Sequence, residues 1–240
     1  MDFSSEVGKI MDISSSWDGT LAQNDFSVAA HVFAEKWKRN NSASPSWLWV
    51  NSPKGPLLAS SQHVEGYLSL ENICVLVSTE DNHDEGSCSM EEETGFSEIE
   101  GAADNATLVQ SNCHEVHYYD FHIVYSASYR VPVLYFRAYC SDGRPLLSNE
   151  IEKDLPACST KALLETKWTF ITQEEHPYLN RPWYKLHPCG TGEWMKLLFL
   201  GDEVHANNGL AIELYLVSWF SVVGQVVGLK IPLEMVKIVA

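Results

Sequence analysis

The sequence predicts an α+β domain in which a mainly antiparallel sheet is backed by helices, and three observations predict it. Phe26, Ala29, Ala30, Phe33 and Trp37 recur at the spacing of one helix face. His117, Tyr119, Phe121, Ile123 and Tyr125 alternate with Tyr118, Asp120, His122 and Val124, which is the period of a strand. A second alternating run sets Leu134, Phe136 and Ala138 against Val133, Tyr135 and Arg137 after the short link Ser126 to Arg130, so the two strands are antiparallel neighbours. With 240 residues, 45% of them hydrophobic, and 8 Trp, the chain is long and apolar enough to bury a full core.

Taken in order, residues 1–24 are polar and Ser-rich and read as a mobile N-terminal segment, leaving 25–240 as the folded domain. The helix that opens the domain from Asp25 carries Lys36, Lys38 and Arg39 at its C-terminal end, where cations suit the dipole. That basic end is a contact for a partner enzyme or simply a solvated face. Trp47 to Val50 and Tyr67 to Val77 read as strands separated by the turn signals Ser52 to Pro56. Residues 79–107 are acidic and poor in apolar side chains. Such a stretch buries too little surface to offset its ordering entropy, so it reads as a disordered insertion, with an acidic docking arm as the functional alternative.

Beyond the central hairpin, Asp142 to Pro145 is a turn and Ala157 to Trp168 is a candidate helix. Leu210 to Leu229 is long and apolar enough to weigh as a membrane span, but Glu213, Gln225, Gly224 and Gly228 interrupt it. A buried helix ending near Gly224 and followed by a short extended tail is the better reading, with no integral span. The outer edge of the 117–139 hairpin is a candidate for strand addition by a partner.

The formal charge of -16 is concentrated in one region. No Lys or Arg occurs between Lys54 and Arg130, where 14 of the 32 acids fall, leaving 18 acids against 16 bases elsewhere. A nucleic-acid surface requires clustered basic residues and is excluded on that ground. The cysteines at 74, 88, 113, 140, 158 and 189 form no Cys-x-x-Cys pair, and the N-terminus lacks a basic-then-apolar signal segment, so a reducing, cytoplasmic location is expected. Cys113, His114 and His117 draw attention as metal ligands, but the histidines are three apart and flanked by strand-like alternation, so no metal is expected.

The candidate nucleophile is Cys189. Rigid Pro188 precedes it, Gly190 follows, and Thr191 to Leu200 has helical propensity, so the thiol sits just before a helix N-terminus, where the dipole favours thiolate. An extended Lys185 to His187 projects His187 on the same side as Cys189. A cysteine phosphatase requires Arg six residues on, where Met195 stands, and a papain-like protease requires a His well downstream, where only His205 follows. A cysteine hydrolase is therefore poorly supplied, and a non-catalytic adaptor remains the other alternative.

The segments Tyr119–Ser126, Tyr129–Ala138, Asp142–Leu146 and Ile171–Pro177, the triplet His187, Pro188, Cys189, and Ser218–Leu229 together resemble one family in its order. It is the autophagy-related protein ten family of ubiquitin-conjugating-type enzymes, which join the ubiquitin-like autophagy protein twelve to autophagy protein five. The resemblance implies a ubiquitin-conjugating-enzyme-like fold and a thioester on Cys189. The activating enzyme, autophagy protein seven, would supply the acyl group, and no cofactor is needed. Ordinary conjugating enzymes place Asn after a His-Pro pair, but Tyr178 follows His176 and Pro177 here. The oxyanion donor must come from elsewhere: Thr172, Gln173 and Asn180 are candidates, as is a backbone amide beside Cys189. His176 itself reads as a structural histidine held by a turn.

Overall fold

The computed structural model describes residues 17–42, 44–52, 65–76, 116–156, 171–199 and 208–236. Residues 1–16, the acidic insertion 79–107, the candidate helix at 157–168, and Cys113 and His114 lie outside the described residues.

Helix α1 (Gln23–Asn40) buries Phe26, Ala29, Ala30, Phe33 and Trp37, the five residues that the periodicity singles out. Six antiparallel strands follow: β1 (Leu48–Asn51), β2 (Gly66–Leu76), β3 (Val116–Ser126), β4 (Val131–Cys140), β5 (Ile171–Glu175) and β6 (Pro182–Leu186). The sheet order is β1-β2-β3-β4-β6-β5. Strands β3 and β4 pair from Ser126↔Val131 to His117↔Cys140, as their short link requires.

That order corrects the expectation of a free hairpin edge. Strand β3 is flanked by β2 along most of its length, and β4 pairs with β6 at Tyr135 and Phe136, so the hairpin is the centre of the sheet. The local sequence could not place it, because β2 and β6 lie on opposite sides of the hairpin in the chain and their pairing is non-local.

One face of the sheet carries Tyr119, Phe121, Ile123, Leu134, Phe136 and Ala138 against α1 and helix α4 (Asn208–Val226). Phe220 of α4 packs edge-on against Phe33, Trp37 and Trp47, with ring centroids 5.3, 5.9 and 5.6 Å away. Rings this deeply buried contribute ~2 kcal/mol each from area alone, so the apolar stretch that resembled a span is the back wall of the core. Among the described residues no helix is long and apolar enough to cross a membrane. Helix α4 runs two residues past Gly224 and ends in a Schellman turn, with the Leu229 N–H donating to the Gly224 carbonyl (2.8 Å) and Gly228 at φ +76°. The expected extended tail instead contains a short helix, α5 (Leu233–Val236), whose Met235 is buried.

A short helix α2 (Ser148–Asp154), not anticipated from the sequence, follows the Asp142 to Pro145 turn. The Glu150 carboxylate explains it by accepting the Leu147 N–H at 2.7 Å and pairing with Arg144. His117 is committed to α2, with Nδ1 2.7 Å from the Asp154 carboxylate.

The opposite face of the sheet holds a smaller cluster of Tyr67, Val124, Val133, Tyr135 and Trp183. His122 and His176 are buried within it. The Tyr178 N–H donates to His176 Nδ1 at 3.2 Å, so the neutral ring carries its proton on Nε2 and donates to His122 Nδ1 at 3.0 Å. His122 Nε2 then donates to Ser69 Oγ at 3.0 Å, and the Ser69 hydroxyl donates to Glu71 at 2.9 Å. One backbone amide thus sets the direction of the whole chain. Burial, and for His122 also the neighbouring His176 and Arg137, pushes the ring pKa values down to about 3 for His122 and about 4 for His176.

Candidate active site

Strand β6 ends at Leu186, and His187 and Pro188 lead to Cys189, two residues before helix α3 (Thr191–Phe199). Gly190 makes the turn possible: its φ is +77°, and a Cβ there would meet nothing within 4 Å, so conformation rather than space selects glycine. The Thr191 N–H donates to the Pro188 carbonyl (3.1 Å) and the Trp194 N–H to the Gly190 carbonyl (3.1 Å), closing the helix over the cysteine. Cys189 is an exposed free thiol. It faces solvent at the positive end of a nine-residue helix.

His187 lies beside it. The Cys189 N–H donates to His187 Nδ1 at 3.1 Å. In the neutral ring the proton therefore sits on Nε2, so His187 offers a donor there while its Nδ1 lone pair is engaged by the Cys189 amide. The Tyr129 ring from the β3–β4 turn meets it edge-on, centroid to centroid 6.2 Å. Nothing in the local pattern around Tyr129 pointed to this neighbour, because a turn aromatic carries no periodicity; the short link before Arg130 is the only hint.

The other sequence candidates separate along the β5–β6 hairpin. Thr172 is registered opposite Lys185, and Gln173 opposite Tyr184, on the strand beside the one that leads to Cys189. Thr172 Oγ1 donates to Glu174 at 3.2 Å, and Lys185 pairs with the same carboxylate. The Lys185 ammonium holds the Glu174 carboxyl below the usual carboxylate range. Asn180 is the misplaced candidate. It sits in the turn at the far end of the hairpin, at φ +51°, its N–H donating to the His176 carbonyl at 3.1 Å. The strand between that turn and Leu186 spans ~13 Å at roughly 3.3 Å per residue. Closeness in sequence to His176 carried Asn180 into the candidate set, and antiparallel pairing carries it away from the thiol. His176 turns away too, into the buried cluster.

Two stretches far apart in sequence meet at this site. Gly19, at φ +77°, lies against α3 so closely that a Cβ would collide with the Gly192 carbonyl. Trp17 packs on Phe199 of α3, and Leu21 is buried in the main core. Residues 17–21, expected within a mobile segment, instead pack through Trp17, Gly19 and Leu21. A composition of Ser, Asp, Gly and Thr reads as linker, and backbone-to-backbone contact leaves no apolar pattern; Trp17 beside Gly19 was the available signal.

A family model described as the autophagocytosis associated protein, active-site domain, matches residues 25–234. The chain is 57% identical over 222 residues to the ubiquitin-like-conjugating enzyme ATG10 of Arabidopsis thaliana, covering 92% of this chain and 96% of that protein. It is 45% identical over 124 residues to the enzyme of the same name from Homo sapiens, covering 51% of this chain and 54% of the relative. A crystal structure of the autophagic conjugating enzyme Atg10 aligns with 47% of this chain and 66% of that chain at 24% identity and a TM-score of 0.29.

Proposed function

The chain belongs to the autophagocytosis-associated active-site family, among its ATG10 ubiquitin-like-conjugating enzymes, and from that premise we propose that Cys189 carries the ubiquitin-like protein as a thioester. The carrying observation is that an exposed thiol stands at the start of α3 with its own amide fixed on His187.

The Cys189 sulfur attacks the carbonyl carbon of the thioester on the activating enzyme. The new S–C bond forms as the old one breaks, and the activating enzyme's sulfur leaves and takes up the proton that Cys189 gives up. A neutral lysine amine of the target then attacks the same carbon, the Cys189 sulfur leaves, and the amine proton passes to it or to water. The thioester already stores the driving force, so this protein's task is to position the amine and stabilise the transient oxyanion. His187 Nε2–H and the positive end of α3 are the donors this reading uses; Asn180 is withdrawn from that role, and Thr172 and Gln173 are left as lining candidates.

The ubiquitin-like protein is assigned as autophagy protein twelve, the donor as the activating enzyme autophagy protein seven, and the target as autophagy protein five. The basic end of α1 (Lys36, Lys38, Arg39) is assigned as a contact for the activating enzyme, and the location as the cytoplasm. The 25–240 stretch is the catalytic domain, and the acidic insertion 79–107 is dispensable for it.

The test is incubation with activating enzyme, ATP and ubiquitin-like protein, resolved on a gel with and without reductant. A reductant-sensitive adduct that disappears in Cys189→Ala is the expected result. Stable binding without an adduct would make the protein an adaptor instead.

A further inference from the structure

Residues 17–21 form a strap across the start of α3. Gly19 touches the first two turns of that helix: its added Cβ would also come to 2.9 Å from the Lys196 backbone nitrogen, and a Cβ at Gly192 would come to 3.0 Å from the Asp18 carbonyl oxygen. Two glycines thus let backbone lie on backbone beside the helix that Cys189 precedes. The strap is tied from behind, where the Tyr215 hydroxyl donates to the Gly19 carbonyl at 2.7 Å and the Trp17 indole N–H donates to the Thr20 carbonyl at 2.9 Å.

Its other end holds the β3–β4 turn. The Leu21 N–H donates to the Arg130 carbonyl (2.8 Å), and the Tyr125 hydroxyl donates to the Leu21 carbonyl (2.9 Å). The Arg130 guanidinium donates to Thr20 Oγ1 and lies 3.3 Å from the Asp18 carboxylate. Arg130 itself sits at φ +55°, a conformation that a non-glycine residue holds only when its surroundings fix it. The residue before it is Tyr129, whose ring meets His187.

We propose that the strap Trp17–Leu21 is a positioning element of the Cys189 site: Gly19 sets the first turn of α3, and Asp18 and Thr20 set, through Arg130, the turn whose Tyr129 meets His187. The strap precedes residues 25–234, which the family model matches. Both supports of the thiol loop, the helix after it and the ring beside it, converge on these five residues. A misplacement of ~1 Å at a reacting atom costs ~100-fold in rate, so a small shift of the strap is felt at the sulfur without unfolding the sheet. This inference rests on Cys189 as the thioester residue.

The experiment compares wild type, Gly19→Ala, Tyr215→Phe and Cys189→Ala in the full chain. Discharge of the thioester onto free L-lysine is followed in single turnover, and alkylation of Cys189 by iodoacetamide is followed by mass spectrometry from pH 6 to 9. Gly19→Ala is expected to slow discharge at least tenfold and to shift the alkylation profile, while the activating-enzyme concentration for half-maximal charging changes less than twofold. Tyr215→Phe, which releases one tie and adds no bulk, is expected to slow discharge about threefold. A folded Gly19→Ala with wild-type discharge and alkylation profile overturns the proposal. If Gly19→Ala does not fold, Tyr215→Phe decides by the same readouts, with wild-type values overturning it. Charging of Cys189→Ala would instead overturn the thioester assignment, so the two failures are distinguishable.

Discussion

Lowering the pH from 8 to 5 is expected to remove about 4 kcal/mol of stability through His122 and His176 alone. Both rings are buried, and their pKa values are pushed down from 6.5 to about 3 and about 4. Above pH 6.5 each ring is neutral whether the chain is folded or not, so the full stability is present. Below 6.5 the unfolded chain takes up two protons that the folded chain refuses, and stability falls until the folded pKa values are reached. At pH 5 this linkage amounts to ~2 kcal/mol per ring, with a slope of ~2.5 kcal/mol per pH unit for the pair. The geometry agrees with the sign, because every ring nitrogen is already used: protonating either ring breaks the donor-to-acceptor order that begins at the Tyr178 amide. Asp18, Glu150 and Glu174 are held below the usual carboxylate range and lose their contributions at lower pH than this window. Urea unfolding followed by tryptophan fluorescence at pH 8, 6.5, 5.5 and 5 measures the effect, and His176→Gln should roughly halve the slope. A wild-type stability that changes by less than ~1 kcal/mol across the range, or an undiminished slope in His176→Gln, would refute the reasoning.

Three further outcomes follow from the site and the core. Gly190→Ala should cost ~1–2 kcal/mol in urea unfolding, since only the left-handed backbone and no steric contact opposes it, with Gly190→Asn costing less; equal stability of the alanine variant would mean the turn is not left-handed. Cys189→Ser should charge more slowly but give an oxyester that outlasts the thioester under amine and reductant, because a serine hydroxyl is the poorer nucleophile and its ester the poorer acyl donor; a serine adduct as labile as the wild type's would count against acyl transfer at this position. Trp219, 1% exposed, should not tolerate Asp: loss of the ring and burial of an unpaired carboxylate together exceed ~4 kcal/mol, so thermal unfolding should lose its cooperative transition.

What was legible in the sequence was local. The α1 face, the alternation of β3 and β4, and the thiol at a strand-to-helix junction are each written within a dozen residues, and each is found where the pattern places it. What escaped was set by partners distant in the chain. The position of the β3–β4 hairpin depends on β2 and β6, the partner of the turn-held His176 is a ring 54 residues away, and the separation of Asn180 from Cys189 depends on strand pairing. Residues 17–21 escaped for a different reason, since glycine-to-glycine contact has no hydrophobic signature and Trp17 and Leu21 alone make no period.

The tie between Gly19 and Tyr215 spans 196 residues of chain. At ribosomal rates of ~5–20 residues per second, ~10–40 s pass between the synthesis of its two ends. For most of that interval the strap has no helix to cross, because α3 is made shortly before Tyr215. The neighbourhood of Cys189 is therefore assembled after the central hairpin has had time to pair. A nascent chain stalled before Tyr215 would hold its nucleophilic cysteine outside its finished setting.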